Sequence, residues 1–214
     1  MPAMPPVGRT ERTRATPRQR REQILDAALD LVVEQGFPGC TMQSIARTLG
    51  VTRPALYEYY RDHEQLLADL CAREHQKMVE LVVRCTTVTA AAADHEDPAG
   101  LFAAFLREYL DGVAATPRTW HFMLTSPLGA PPQVRDDIDA LRRLVLEQVR
   151  FAVRSLPDPY GGADLDSEMA ALSIIAGAES AARLIVEDPE RFPPERVAAV
   201  ISALAAHIAR AWPR

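Results

Sequence analysis

The feature that most constrains this chain is how its helix-opening signals recur. Thr16-Pro17, Asp97-Pro98 and Thr116-Pro117 each set a side-chain acceptor before a proline. That pair suits an N-cap and a first helical position, where the missing proline N–H costs little. Pro131-Pro132 and Pro193-Pro194 open two further runs. Behind the markers, apolar residues recur at helical spacing: Ile24, Leu25, Ala28, Leu31, Val32, then Met42, Ile45, Ala46, Leu49. Leu67, Leu70, Cys71, Met78, Leu81 and Val82 form the stripe of a long helix that runs to about Cys85. Leu101, Phe102, Phe105, Leu106, Tyr109 and Val113 follow, then Val134, Ile138, Leu141, Val145, Gln148 and Ala152, and last Val197, Ile201, Leu204 and Ile208. No stretch alternates with period two, and no internal repeat is found. The predicted class is all-α, and 48% hydrophobic content over 214 residues can fill its core.

Stop signals agree with the starts. Gly36 ends the first helix and Phe37 folds back onto the core; Gly50 breaks the second. Thr52 caps the third, with Pro54 in its first turn, and Asp62 with Gln65 reads as a capping box for the long helix. Residues 1–16, rich in proline and arginine with almost nothing to bury, read as a mobile arm.

Several function classes lose support. No apolar run approaches a membrane span, and the N-terminal stretch lacks the apolar region of a secretory signal. Cys40, Cys71 and Cys85 are odd in number and lack metal-ligand spacing, so they read as packing residues in a reducing cytosol. No HExxH, CxxC or phosphate-binding glycine loop is present, and no cofactor or metal is expected. The net charge of −5 argues against nucleic acid until it is partitioned. Residues 1–21 carry six arginines against one acid, whereas residues 64–214 carry 15 basic and 22 acidic groups. A basic end on an acidic body fits a modular DNA binder.

Residues 41–63, TMQSIARTLGVTRPALYEYYRDH, read as two short helices around a tight turn, the layout of a helix-turn-helix. Val51, Leu56 and Tyr60 can anchor the second helix. Arg53, Pro54, Ala55, Tyr57, Glu58 and Tyr59 are left toward solvent or DNA. Arg53 can reach a guanine edge bidentately, and the tyrosines can donate to phosphates.

The run ILDAALDLVVEQGF followed by TMQSIARTLGVTRPALYEYYRDHEQLL resembles the TetR family of transcriptional regulators over roughly residues 22–67. The resemblance implies an N-terminal three-helix helix-turn-helix domain at 17–63 and a larger helical ligand-binding and dimerisation domain at 64–214. It implies that Thr41, Gln43, Arg53, Pro54, Ala55, Tyr57 and Tyr59 face DNA. His63 stands where such proteins usually carry a phosphate-binding lysine, so a phosphate contact there would depend on pH.

Phe102, Phe105, Tyr109, Trp120, His121, Phe122 and Phe151 fit either a plain core or, as the resemblance implies, the wall of an effector cavity. Ala170, Gly177 and Ala181, with Val197, Ile201, Leu204 and Ile208, suit either internal packing or the two-fold helical interface the resemblance implies. A homodimer also follows from the DNA reading, because a symmetric pair doubles the base contacts on a palindrome. The expected function is a cytoplasmic, ligand-responsive repressor on a palindromic double-stranded DNA operator, with an unknown small-molecule effector and no enzyme activity. The alternatives are a DNA-bound regulator without an effector, or an all-α enzyme.

Overall fold

The computed structural model describes residues 16–92, 98–124, 130–155 and 166–211. The arginine-rich arm, the LPDPYGG loop and the Ser126-Pro127 stop lie outside them. Among the described residues the chain forms nine helices and no strand: α1 (Pro17–Gly39), α2 (Met42–Leu49), α3 (Arg53–Tyr57), α4 (His63–Ala92), α5 (Pro98–Ala115), α6 (Pro117–Leu124), α7 (Pro132–Ser155), α8 (Ser167–Glu187) and α9 (Pro194–Ala211).

Most of the expected boundaries have the expected chemistry. Thr16 and Gln19 form a reciprocal capping box at the start of α1. Gly36 leaves the helical region at φ 73°, and Phe37 turns back into the core, buried. Asp166 accepts from the Glu168 and Met169 amides at the start of α8. Two caps differ. Thr52 occupies the N-cap of α3 with extended backbone but makes no side-chain cap bond. The Asp62 carboxylate accepts from the Gln65 amide, but Gln65 reaches past it to the Arg61 amide.

The apolar stripes gather into two cores. The first joins α1, α2, α3 and the front of α4 through Ile24, Val32, Ile45, Leu56, Tyr60, Leu66, Leu67 and Leu70. It also takes Phe122 of α6, whose ring lies 5.7 Å from Phe37, and Val134 and Ile138 of α7. The second joins the rear of α4, through Leu81 and Cys85, to α5, α8, α9 and Trp120. Gly112 lets α5 approach closely, since a Cβ there would collide with Leu81. The handover between cores therefore falls inside α4, between Cys71 and Leu81.

Some stripe residues are not inside. Val82, Phe102 and Phe105 are exposed, because α4 presents Leu81 and Cys85, and α5 presents Leu106, Leu110 and Val113. α4 runs to Ala92, past the expected end. α8 is long and apolar enough to cross a membrane, with mean hydropathy 1.6, contrary to the expectation of no such run. Its isoleucines, leucines, valine and alanines raise the hydropathy; in the fold it packs on α5, α6 and α7. The three cysteines are buried as expected, and burial pushes the Cys40 and Cys71 thiols up to about 12.

Between the cores sits one buried charge. Glu74 of α4 is 0% exposed. Its carboxylate accepts from the Thr119 hydroxyl of α6 at 2.6 Å, from Lys77 at 2.9 Å and from Arg73 at 2.8 Å. Arg73 also pairs with Asp26 at 2.8 Å and Glu22 at 3.2 Å on α1. Burial alone would raise the Glu74 pKa; the bonds from Thr119 and Lys77 and the charge of Arg73 outweigh it and hold the carboxyl below its usual range.

A carboxyl depressed in the fold stabilises fully above its unfolded value of about 4.3 and loses that contribution as pH falls through the folded value. Glu74→Gln should therefore cost about 3 kcal/mol at pH 7, the scale of breaking a buried pair. The deficit against the wild-type chain should narrow on acidification, and urea melts at pH 7 and pH 3 check both statements.

Candidate nucleic-acid interface

The helix-turn-helix is built from a tightly capped α2, a left-handed glycine and a very short α3. Thr41 and Ser44 cap α2 reciprocally: the Thr41 amide donates to Ser44 Oγ at 2.8 Å, and the Ser44 amide donates to Thr41 Oγ1 at 3.1 Å. Ser44 Oγ also donates toward the Gly39 carbonyl at 2.7 Å, fixing α2 to the end of α1. Ser44 is buried, and its role was not read from the sequence, although Thr-x-x-Ser is the spacing of such a cap. Gly50 closes α2 at φ 65°, ψ 31°, and the Val51 amide reaches back to the Ala46 carbonyl at 3.0 Å.

The scaffold residues behave as such. Met42, Ile45, Leu56 and Tyr60 are buried, and Leu49 and Val51 pack at the edge of the same core. Burial pushes the Tyr60 hydroxyl up to about 12, and the Arg21 guanidinium lies 5.8 Å from its ring centre.

The candidate contact residues surround the turn. Gln43, Arg53, Pro54 and Tyr57 are exposed, and Ala55 and Tyr59 are half-exposed. Arg53 folds along α3, donating to the Tyr57 hydroxyl at 2.9 Å with its guanidinium 5.7 Å from the ring centre. The pair is four residues apart, so one turn of helix brings both groups together. Thr41 is exposed, but its hydroxyl already serves the cap. His63 opens α4 half-buried, with Nε2 closed off from solvent and without a hydrogen-bond partner among the described residues. That nitrogen does not reach a phosphate in this conformation. An open cleft of about 530 Å³ lies between the start of α1 and the chain just after α3, lined by Pro17, Arg18 and Arg21 of α1 with Glu58 and Tyr59.

Residues 98–210 match the model of a tetracyclin repressor-like C-terminal domain, and residues 24–70 match that of the bacterial regulatory proteins of the tetR family. The chain belongs to the TetR family.

Its relatives are HTH-type transcriptional regulators. The chain is 43% identical over 65 residues to the uncharacterized regulator TtgW of Pseudomonas putida, a match covering 30% of this chain and 48% of that protein. It is 37% identical over 62 residues to the class D tetracycline repressor of Escherichia coli, covering 27% of this chain and 28% of that protein. These matches thus span about half or less of the curated relatives' length. A TetR-like regulator from Rhodococcus sp. RHA1 superposes with a TM-score of 0.67 at 22% identity, over 92% of this chain and all of that one. This TetR-family chain is accordingly a DNA-binding transcriptional regulator with an N-terminal helix-turn-helix.

The residues proposed for an effector site do not converge in the same way. Tyr109 and Trp120 meet edge to face at 5.4 Å in the second core, and the Tyr109 hydroxyl donates to the Ala178 carbonyl. Phe122 lies in the first core, Phe102 and Phe105 are exposed, Phe151 of α7 is 70% exposed, and His121 is half-buried. A cavity of about 90 Å³ opens beside Trp120, lined also by Lys77, Leu81, Arg84, Gly112, Thr116 and Thr119. Of the proposed interface residues, Ala181 and Val197 are consumed by the second core; Gly177 and Leu204 are exposed, and Ala170 and Ile201 are half-buried. Nothing is described of the Ile208 side chain.

A Cβ at position 50 would meet no neighbour, so Gly50→Ala tests the left-handed backbone alone. It should lower stability by about 1–2 kcal/mol. Gly50→Asn should lose less, as read by denaturant midpoints.

Proposed function

We propose that this TetR-family regulator is a cytoplasmic repressor that binds a palindromic operator as a homodimer and is released by a small-molecule effector. The observation that carries the DNA half is the Arg53–Tyr57 pair, exposed on the short helix after the Gly50 turn. Arg53 swings from Tyr57 to a guanine edge. Tyr57, Tyr59 and Gln43 set the register on phosphates, and Pro54 and Ala55 give compact contacts. His63 joins these contacts only once its ring turns outward from its half-buried position.

An unpartnered apolar surface supports the dimer. Leu172 and Leu184 of α8 and Val200 and Leu204 of α9 are exposed, and both helices rest on α5. With Gly177 they form the proposed two-fold face, in which Ala181 and Val197 act from behind as packing. The named class D tetracycline repressor supports the repressor assignment. The effector would enter beside Trp120 and Tyr109, wedge α6 from α4 and change the tilt of α4 beneath the reading head. A coupling of about 1–3 kcal/mol would change operator affinity roughly 5–150-fold.

A second reading, a regulator without an effector, is favoured by the size of that cavity. About 90 Å³ is well below the ~300–1,000 Å³ of ordinary ligand sites. A compound that binds the protein yet leaves operator affinity unchanged would decide for it.

Selection of bound duplexes from a random pool should return a palindrome. Arg53→Ala should then lose about 1–3 kcal/mol of discrimination at one base pair per half-site. An unchanged base preference would remove Arg53 from the reading face. Leu204→Glu should shift the protein from dimer to monomer in sedimentation and weaken palindrome binding, while α1–α3 stay folded.

A further inference from the structure

Outside the recognition helix, the strongest unassigned feature is the cleft between the first turn of α1 and the chain just after α3. We infer that Arg18, Arg21 and Tyr59 form a clamp for a DNA backbone phosphate, extending the footprint beyond the bases read by α3. The inference rests on the DNA-reading proposal above.

Four observations support it. Arg18 and Arg21 are three residues apart, so they share one face of α1, and both are exposed. Neither forms an ion pair among the described residues; the acids nearest in sequence on α1, Glu22 and Asp26, are held by Arg73. Arg21 is held in place over the Tyr60 ring, so it gives up less freedom on binding than a loose side chain would. The opposite wall is Tyr59, two residues beyond Tyr57 on the proposed reading face, which sets the cleft beside the end of α3.

The cleft's open volume of about 530 Å³ admits a phosphodiester and its flanking sugars. The positive end of the α1 dipole points the same way. The bidentate guanidinium geometry suits a phosphate better than a point charge would. Glu58, on the rim, is the one opposing group in the lining; it lowers affinity for any anion and thereby limits binding to unrelated DNA.

The test uses the full-length protein and the selected palindromic duplex, with affinity measured across a salt series. Each phosphate contact contributes about 0.9 to the salt slope per bound subunit. The double variant Arg18→Gln with Arg21→Gln should flatten the slope by about 0.9 per bound subunit, the share of one phosphate, and each single variant by less, with base preferences unchanged. Arg18→Lys should retain the slope. Glu58→Gln should tighten binding and leave the preferred sequence alone. Arg18 makes no described contact that the fold needs, so its variant separates binding from folding. Thermal melts check Arg21→Gln, which loses its ring contact.

A double variant with wild-type affinity and slope overturns the clamp while the reading head stands. A double variant with altered base preference also overturns it, because the arginines would then act through α3. A wild-type chain that binds no duplex removes the DNA-reading proposal and the clamp together, and Arg53→Ala serves as the variant that alters preference without touching the slope from the cleft.

Discussion

The carboxylate of Glu74 is the one charge on which both halves of the molecule depend. It sits fully buried at the point where α4 passes from the first core to the second. An ionised carboxylate without partners would be too costly there. Its presence therefore requires Thr119 of α6 and Lys77 and Arg73 of α4 to stay in place. Arg73 in turn holds the acids of α1. Arg118 of α6 adds a second tie to Asp30 of α1. The three helices thus share a polar joint whose members satisfy one another.

This joint gives α6 a particular position. Trp120 packs in the second core, Phe122 in the first and Thr119 on Glu74. A displacement of α6 disturbs both cores and the joint at once. In an apolar interface a small slip costs a few contacts; at Glu74 it would expose a buried charge to loss of its partners. α4 runs as one helix from this junction to the residues that follow α3.

Much of the fold was legible in the sequence because helices advertise their ends. Thr16-Pro17, Gly36, Gly50 and Asp166 act through local backbone chemistry, and their effects do not depend on what lies across the core. The turn at Gly50 and the exposed Arg53 and Tyr57 were legible for the same reason. Local patterning was less reliable where a stripe was wide. Phe102 and Phe105 belong to an apolar face that α5 turns only partly inward, since Leu106, Leu110 and Val113 fill the space against α4. Thr52 had the right type and place for a cap, yet its hydroxyl makes no cap bond.

The sequence by itself determined the helical class, most helix ends and the helix-turn-helix segment, because these follow from residue periodicity and capping within a few residues. The tertiary structure alone decided which apolar residues became core. It turned Phe122 toward the reading head, Trp120 away from it, and Ala181 and Val197 inward. It also brought Glu74 to Thr119, 45 residues apart, and Arg18 and Arg21 to Tyr59. Such meetings depend on how whole helices cross, a property set by the summed packing of many side chains and written in no single stretch of chain.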